Sequence, residues 1–170
     1  MDNKPEILVV MGSDSDFNIM QDAFKTLTGF HVPYRAVVCS AHRTPENAAQ
    51  LSKNAEKEGI KVIIAAAGLA AHLPGVLASF TTLPVIGVPI SAGALKGQDA
   101  LYAIVQMPKG IPVATVGIDN AENAALLAVQ ILALQDKNLQ EQLSQFKRQM
   151  ADAVEGKNTA LQQKLAESGF

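Results

Sequence analysis

Short apolar runs recur along the 170-residue chain and alternate with segments of mixed polar and apolar residues. Four runs are rich in β-branched residues, continuous, and bounded by Gly, Pro or Ser: Ile7–Met11, Ala36–Cys39, Val62–Ala67 and Val85–Ile90. A fifth, weaker run is Val113–Val116. Strands that are buried on both faces of a parallel sheet have sequences of this kind.

The segments between these runs have helical spacing of apolar and polar residues. They are Phe17–Leu27, Pro45–Glu58, Gln98–Gln106 and Ala121–Leu134. Alternation of strands and helices predicts an α/β domain with right-handed crossovers and helices on both faces of the sheet. A three-layer, flavodoxin-like, doubly wound parallel sheet fits the length of the chain.

The tail, residues 136–170, is rich in Gln, Lys and Glu. Apolar residues recur in it at spacings of three or four: Leu139, Leu143, Phe146 and Met150. This spacing predicts an amphipathic helix, which packs on its own domain or on a neighbouring subunit. We expect one domain over residues 1–170, with an α/β core over 1–135 and a C-terminal helical extension over 136–170.

Composition narrows the class of protein. Hydrophobic residues make up 48% of the chain and charged residues 18%, as in packed globular proteins. The net charge is -2, from 14 basic and 16 acidic residues, so no nucleic-acid partner is expected. No apolar stretch reaches the roughly 18 to 20 residues that span a bilayer. No membrane partner is therefore expected. The single cysteine, Cys39, cannot form an internal disulfide, which is compatible with a reducing compartment, and the protein is predicted to be cytoplasmic.

The least ordinary residues follow the predicted strands. Ligands of open parallel sheets bind outside the carboxyl ends of the strands. Four segments lie at those ends, and their convergence predicts one ligand site: Gly12–Asp16, Ser40–Pro45, Gly68–Gly75 and Ser91–Gly97.

The first segment predicts a phosphate seat at the start of a helix. Gly12 permits a tight turn, and the Ser and Asp residues after it are good helix caps. Free N–H groups at a helix N-terminus attract phosphate, and Ser13 adds a hydroxyl donor. Asp16 would repel a phosphate, so its carboxylate suits ribose hydroxyls instead. A role as helix caps alone explains the same residues.

The second segment carries the strongest candidates for chemistry. Thr44 and Pro45 predict a helix start, so His42 and Arg43 lie beside a helix N-terminus. Arg43 can bind phosphate in a bidentate manner, and Ser40 can donate to it. His42 is the candidate proton acceptor.

The third segment consists almost wholly of Ala, Gly, Leu and Pro around His72. Such a loop can close over a small apolar species and exclude water. A lone His in apolar surroundings is usually structural, so the residues by themselves favour His42 over His72.

Other interpretations fit these residues less well. Cys39 with His42 lacks a third group that would orient a thiol nucleophile. Asp14 and Asp16 lack the further ligands of a dedicated metal site. A signalling module of the response-regulator type would need an acceptor Asp where Ala65–Gly68 stands. A flavin carrier would need aromatic residues that the four segments lack.

Four motifs resemble those of the PurE family, the carboxyaminoimidazole ribonucleotide mutases of purine synthesis. They are MGSDSD (11–16), SAHRTPE (40–46), AAHLPG (70–75) and IVQMPKGIPV (104–113). The resemblance extends from the first strand to the helix that ends near Leu134. Leu69 departs from the family's AGGAAHLPG pattern, in which glycine is expected, and a leucine there would narrow the pocket or alter the loop.

The resemblance implies a homo-octamer that acts on a small ribonucleotide without a cofactor or a metal. The implied reaction moves a carboxylate from the exocyclic nitrogen of an aminoimidazole ribonucleotide to ring carbon 4, through CO2 held in a closed pocket. By match of motif, His42 would carry the proton. The phosphate would be bound by Ser13, Ser40 and Arg43, and the ribose by Asp16. The CO2 pocket would be lined by residues of the third segment: Gly68, Leu69, Ala70 and His72.

A second branch of the family carboxylates aminoimidazole ribonucleotide directly with CO2. The motifs AAHLPG and IVQMPKGIPV favour the mutase branch. Direct carboxylation and a non-enzymatic phosphate-binding module are the alternatives. Transient contact with neighbouring enzymes of the purine pathway is left open.

Overall fold

Five strands form one sheet in the computed structural model, which describes residues 4–170. They are β1 (Ile7–Met11), β2 (Tyr34–Val38), β3 (Val62–Gly68), β4 (Val85–Ile90) and β5 (Ala114–Thr115). The strand order is β2-β1-β3-β4-β5, and every neighbouring pair is parallel. The predicted flavodoxin-like α/β fold, with helices on both sides of the sheet, is confirmed.

Six helices lie in the described part of the chain. They are α1 (Phe17–Gly29), α2 (Pro45–Ala55), α3 (Leu73–Ala78), α4 (Gln98–Val105), α5 (Ala121–Ala133) and α6 (Lys137–Glu167). Short 3-10 turns at Asp14–Asp16 and Glu56–Glu58 precede α1 and follow α2. Across residues 4–170, none of the helices combines the length and the apolar character needed to cross a membrane.

The central strands are buried on both faces, which explains their continuous apolar sequences. Every residue of β1 and β4 is buried. Successive side chains of a strand point to opposite faces. On one face, Leu8, Val10 and Ile63 share a cluster with residues of three helices: Ala48 of α2, Leu77 of α3 and Ile104 of α4.

The direction of chain progression reverses at β1. From β1 the chain moves to β2 on one side, and all later strands lie on the other side. Right-handed crossovers therefore place α1 on the face opposite to α2, α3 and α4. The loops that follow β1 and β3 diverge at this point, which leaves a crevice at the carboxyl ends of the strands.

The edges of the sheet and one short helix differ from the sequence prediction. β2 begins two residues before the predicted run at Ala36, because an edge strand also accommodates half-buried polar residues such as Arg35. β5 has only two residues, Ala114–Thr115. The segment predicted as a loop to Gly75 turns helical at Leu73, where α3 starts with proline in its first turn. A helix of six residues is too short to show a periodic pattern.

Contacts divide the described residues into two compact units, one that ends at Leu132 and one over Ala133–Phe170. The second unit contains α6, and the Asp136 side chain caps this helix by accepting hydrogen bonds from the backbone N–H groups of Asn138 and Leu139. Of the apolar residues predicted to face a core, Leu139 is buried and Met150 is exposed. The division into a core over 1–135 and an extension over 136–170 stays a prediction.

Gly87 on β4 leaves the space that Ile104 of α4 occupies. A Cβ atom at position 87 would overlap Cγ2 of Ile104 and lie 3.1 Å from Cγ1 of Val113. We predict that Gly87→Ala lowers the free energy of unfolding by about 1 to 3 kcal/mol, the usual effect of overpacking a core. Urea denaturation measures this change.

Gly29, the last residue of α1, is the matched control. A Cβ atom there would have no neighbour within 4 Å, so Gly29→Ala should leave the free energy of unfolding unchanged or raise it. Equal denaturation midpoints for the two variants would contradict the packing argument.

Candidate active site

The loops at the carboxyl edge of the sheet enclose a cavity of about 400 Å³. Every residue that the sequence singled out for the site lines it: Ser13, Asp16, Ser40, His42, Arg43, Gly68, Leu69, Ala70 and His72. The cavity is also lined by residues that the sequence did not single out as ligand-binding, among them Ser15, Ala41, Ala67, Leu73 and Ala92. All of these five except Ala67 lie in the four segments that the sequence predicted to converge, but no side chain among them indicated by itself that it would line the cavity.

The turn after β1 is stabilised by reciprocal caps. The backbone N–H of Ser13 donates to Oδ2 of Asp16 at 3.1 Å, and Oγ of Ser13 accepts from the backbone N–H of Ser15 at 3.4 Å. Gly12 begins this turn, and its N–H donates to the carbonyl of Ala66 on β3 at 2.9 Å. The capping role of these residues is therefore present in the fold, and it places Ser13 and Asp16 in the cavity wall.

Asp16 is a buried carboxyl group in a site that is otherwise partly open to solvent. Only 6% of the surface of Asp16 is exposed to solvent. Burial raises the pKa of Asp16, while hydrogen bonds from the Ser13 backbone, the Ser15 hydroxyl and the Gly12 backbone oppose the rise. The charge of nearby Asp14 adds to the rise. A ligand that donates hydrogen bonds to this carboxylate would stabilise its ionised form.

The loop between β2 and α2 is held by side chains that fold back onto it. Oγ of Ser40 accepts from the backbone N–H of Arg43 at 3.2 Å and from Nε of Arg43 at 3.4 Å. Thr44 stands at the N-cap position, but its hydroxyl does not cap α2. It donates to the carbonyl of Ser40 at 3.0 Å and accepts from the N–H of Ser40 at 3.1 Å. These bonds hold Ser40 and Arg43 side by side at the cavity.

Cys39 lies away from the cavity. It is buried, and its sulfur is 3.6 Å from Oγ1 of Thr44. It is not among the residues that line the cavity. This placement fits a small buried residue rather than a nucleophile paired with His42.

Two histidines from different loops meet in the cavity. Nε2 of His42 and Nδ1 of His72 are 2.8 Å apart, and the two rings are nearly perpendicular, at 82°. In a neutral pair one of these nitrogens carries the proton and the other accepts it, so the tautomers of the two rings are linked. A proton on either ring can therefore be shared with the other. The sequence identified both residues but not their contact, because 30 positions separate them.

The wall after β3 is made of small residues in close contact with the neighbouring loop. A Cβ atom at Gly68 would lie 3.2 Å from the carbonyl oxygen of Ile90 and 3.3 Å from Cβ of Ala92. Only glycine therefore permits this approach without a shift. Leu69, the next residue, has a φ of 55°, in the left-handed region that favours glycine.

No group of three or more His, Cys, Asp or Glu side chains within residues 4–170 is arranged to hold a metal ion. Asp14 and Asp16, the sequence candidates, instead accept hydrogen bonds within their own turn. Oδ1 of Asp14 accepts from Oγ of Ser13 at 3.1 Å, and Oδ2 of Asp16 accepts from the backbone of Ser13.

The fold and the cavity define a class of protein, a small-molecule α/β enzyme whose site lies where the strand order of a parallel sheet reverses. The site combines a polar region, a histidine pair and an apolar wall.

Comparison with known proteins gives the family. A family model described as AIR carboxylase matches residues 6–153, and the chain belongs to this family. The predicted resemblance to the PurE family is thereby confirmed.

The relatives match along nearly their whole length. A protein of Pyrococcus horikoshii named N5-carboxyaminoimidazole ribonucleotide mutase is 54% identical over 160 residues, which cover 94% of this chain and 90% of the relative. A protein of Thermotoga maritima with the same name is 48% identical over 159 residues, which cover 94% of this chain and 93% of the relative. The crystal structure of Treponema denticola PurE superposes with a TM-score of 0.84 at 29% identity, and covers 92% of this chain and 98% of that one.

The buried carboxyl group of Asp16 generates a prediction about pH. Because its pKa is raised in the folded state, the folded protein binds this proton more tightly than the unfolded chain does. The stability that this bound proton contributes to the folded protein is fully present below the ordinary Asp pKa, and it is lost as pH rises through the pKa of Asp16 in the folded state. Asp16→Asn removes this loss and keeps an oxygen that can accept from Ser13. We expect the stability of the variant relative to the wild type to increase as pH rises from about pH 4.

Urea denaturation of both proteins over a series of pH values measures this difference. Parallel stability profiles for wild type and variant would show that burial does not perturb Asp16.

Proposed function

We propose that this chain catalyses the reaction for which its relatives are named, the conversion of N5-carboxyaminoimidazole ribonucleotide to 4-carboxy-5-aminoimidazole ribonucleotide. One observation carries the proposal. A histidine pair lies in a single cavity between a polar wall, which suits a ribose phosphate, and a wall of small apolar residues, which suits CO2.

The polar wall offers two kinds of anchor. Ser40 already accepts a hydrogen bond from Nε of Arg43, so its own hydroxyl hydrogen can point to a phosphate oxygen. This bond also orients the guanidinium group, whose terminal nitrogens suit bidentate contact with phosphate. Ser13 adds a hydroxyl on the facing loop. Asp16 accepts from the ribose hydroxyls, and those bonds offset the unfavourable burial of its charge.

Binding through the phosphate and the ribose fixes the reacting ring without touching it. Interactions with remote parts of a substrate supply the free energy that holds the reacting atoms in position. The ring and its carboxylate then lie near His42 and the small residues that follow β3.

The chemistry requires one proton to be given and taken back. The bond between the carboxylate carbon and the exocyclic nitrogen breaks, its electron pair stays on nitrogen, and His42 donates a proton there as CO2 forms. Ring carbon 4 then attacks CO2 with an electron pair of the ring, and His42 removes the proton from carbon 4. The proton count is restored, so the reaction is an isomerisation. His72, 2.8 Å from His42, shares the proton between the two steps.

The apolar wall keeps CO2 beside the ring. Gly68, Ala70 and Ala92 present little polar surface apart from backbone, and such a wall disfavours water.

A second candidate is direct carboxylation of aminoimidazole ribonucleotide by CO2 from solution. The family description, AIR carboxylase, favours it, because it names that reaction. The same residues would serve, with His42 removing the proton from carbon 4.

Assembly as a homo-octamer of 18.0 kDa chains and location in the cytoplasm belong to the same proposal, and both rest on the family resemblance. So does the absence of a requirement for a cofactor or a metal.

Incubation of the purified protein with the N-carboxylated ribonucleotide in labelled bicarbonate tests the function. We expect product carboxylated at carbon 4 and free of label, since the CO2 stays in the site. Labelled product formed only from the uncarboxylated ribonucleotide would identify the direct carboxylase. No product from either substrate would reject both enzymatic candidates.

His42→Asn removes the proton carrier and keeps a side chain of similar polarity. We expect turnover to fall to the background rate while the substrate still binds, because the phosphate and ribose contacts lie elsewhere in the cavity. Turnover follows the labelled assay, and calorimetry measures binding.

Arg43→Ala should have the opposite effect, weaker substrate binding rather than loss of turnover. Loss of a charged hydrogen bond to phosphate, about 1.5 to 3 kcal/mol, would weaken binding by about 10-fold to 100-fold. An active His42→Asn enzyme, or an unchanged affinity in Arg43→Ala, would remove the residue concerned from its proposed role.

A further inference from the structure

Asp119, between β5 and α5, is bonded to the chain on both sides of the end of β4. Its Oδ1 accepts a hydrogen bond from the backbone N–H of Ser91 at 2.7 Å, and its own backbone N–H donates to the carbonyl of Pro89 at 2.9 Å. Ile90, the last residue of β4, lies between these two partners. Asp119 therefore fixes the point at which the loop after β4, Ser91–Gly97, leaves the sheet.

The backbone of Asp119 is left-handed, with a φ of 57°. Among residues other than glycine, Asp and Asn adopt this conformation most readily, because their short polar side chains can bond to the backbone nearby. The side chain of Asp119 bonds instead to Ser91, 28 positions earlier in the chain. The aspartate thus joins two loops and does more than form a turn.

The same segment also holds the far end of the loop after β4. A Cβ atom at Gly97 would lie 2.8 Å from Cγ2 of Ile118 and 3.1 Å from Cα of Ser91. Gly97 is buried and has a φ of 86°. The first and last residues of the loop are thus packed together, and Ile118 and Asp119 lie against them.

Ala92 links the position of this loop to the cavity. It follows Ser91 directly and lines the cavity, whereas Asp119 does not. Its Cβ atom is 3.3 Å from the place that a Cβ atom at Gly68 would occupy, so the two residues meet in the apolar wall. The hydrogen bond from Ser91 to Asp119 therefore helps to set where Ala92 stands against Gly68.

We infer that Asp119 is a positioning residue for the reaction, which holds Ser91 and so keeps Ala92 in the wall beside the reacting ring. The inference rests on the proposed function, and it gives Asp119 no part in bond making. The phosphate and ribose anchors belong to the loops after β1 and β2. Loss of Asp119 should therefore disturb the placement of the ring and not the affinity for the substrate.

Asp119→Gly tests the inference, because glycine suits a φ of 57° and lacks the acceptor. With the N-carboxylated ribonucleotide as substrate, we expect kcat to fall by about 10-fold or more, since a misplacement of about 1 Å can reduce a rate by that much. KM should stay close to the wild-type value. Asp119→Asn keeps an oxygen acceptor and tolerates the same φ, so its kcat should be close to that of the wild type.

A double-mutant cycle with Ala92→Gly tests the route from Asp119 to the cavity. In the Ala92→Gly background, Asp119→Gly should lower kcat by a smaller factor, because the Cβ atom that Asp119 positions is already absent. Two residues that act independently would give the same factor in both backgrounds.

Asn120→Ala is the matched control. Oδ1 of Asn120 also accepts from a backbone N–H, that of Asn123 at 3.2 Å, but this bond stays at the start of α5. Its loss should lower the thermal midpoint and leave kcat unchanged. Should Asp119→Gly fail to fold, Asp119→Ala takes its place, since alanine also lacks the acceptor and leaves the backbone less free.

The outcomes separate the inference from the proposed function. Wild-type kcat in a folded Asp119→Gly enzyme, or an equal fall of kcat in Asp119→Asn, would overturn the inference and leave the function standing. So would an effect on KM alone, or a factor for Asp119→Gly that Ala92→Gly does not reduce. A wild-type protein that forms no product from the N-carboxylated ribonucleotide would overturn the mutase function, and the inference with it.

Discussion

The site depends on the pairing of β1 with strands on both of its sides, β2 and β3. This pairing makes the chain change direction at β1, so the loops after β1 and β3 leave the sheet on diverging paths. A backbone hydrogen bond links the end of β1 to β3 where these two loops begin: the N–H of Gly12 donates to the carbonyl of Ala66 at 2.9 Å. A Cβ atom at Gly12 would already be 3.4 Å from that oxygen. The crevice that results is the space in which every site residue meets.

The cavity has two physically different walls, and each has its own origin. The loops after β1 and β2 bring hydroxyl, guanidinium and carboxyl groups, held by local hydrogen bonds such as that from Arg43 to Ser40. The loops after β3 and β4 bring small residues that approach each other closely, so that a Cβ atom at Gly68 would lie 3.3 Å from Cβ of Ala92. Burial in the cavity wall raises the pKa of Asp16, and hydrogen bonds from its own turn oppose this rise. A ligand with an anionic phosphate at one end and a carboxylate that leaves as apolar CO2 at the other matches this division.

The histidine pair and Leu69 lie where these walls meet. His42 comes from the polar side and His72 from the apolar side, so a proton can be held at the boundary between the two environments. Leu69 lines the apolar side and has a left-handed backbone conformation, with a φ of 55°. Relatives named as mutases and a family model named for a carboxylase both match this chain in sequence. The property that would distinguish the two reactions is whether CO2 stays inside the cavity.

Sequence by itself determined the strands and the chemistry of the strand ends. Ile7–Met11 and Val85–Ile90 were predicted with their observed bounds, because burial on both faces demands an unbroken apolar run. The roles assigned to the site residues stay predictions, but their place at one sheet edge follows from parallel strands alone. The short helix Leu73–Ala78 escaped prediction because six residues are too few to show a periodic pattern. Tertiary structure alone decided the contact of His42 with His72 and the close approach of Gly68 to Ala92. Both depend on distances between residues far apart in the chain, which no local pattern of hydrophobic and polar positions encodes.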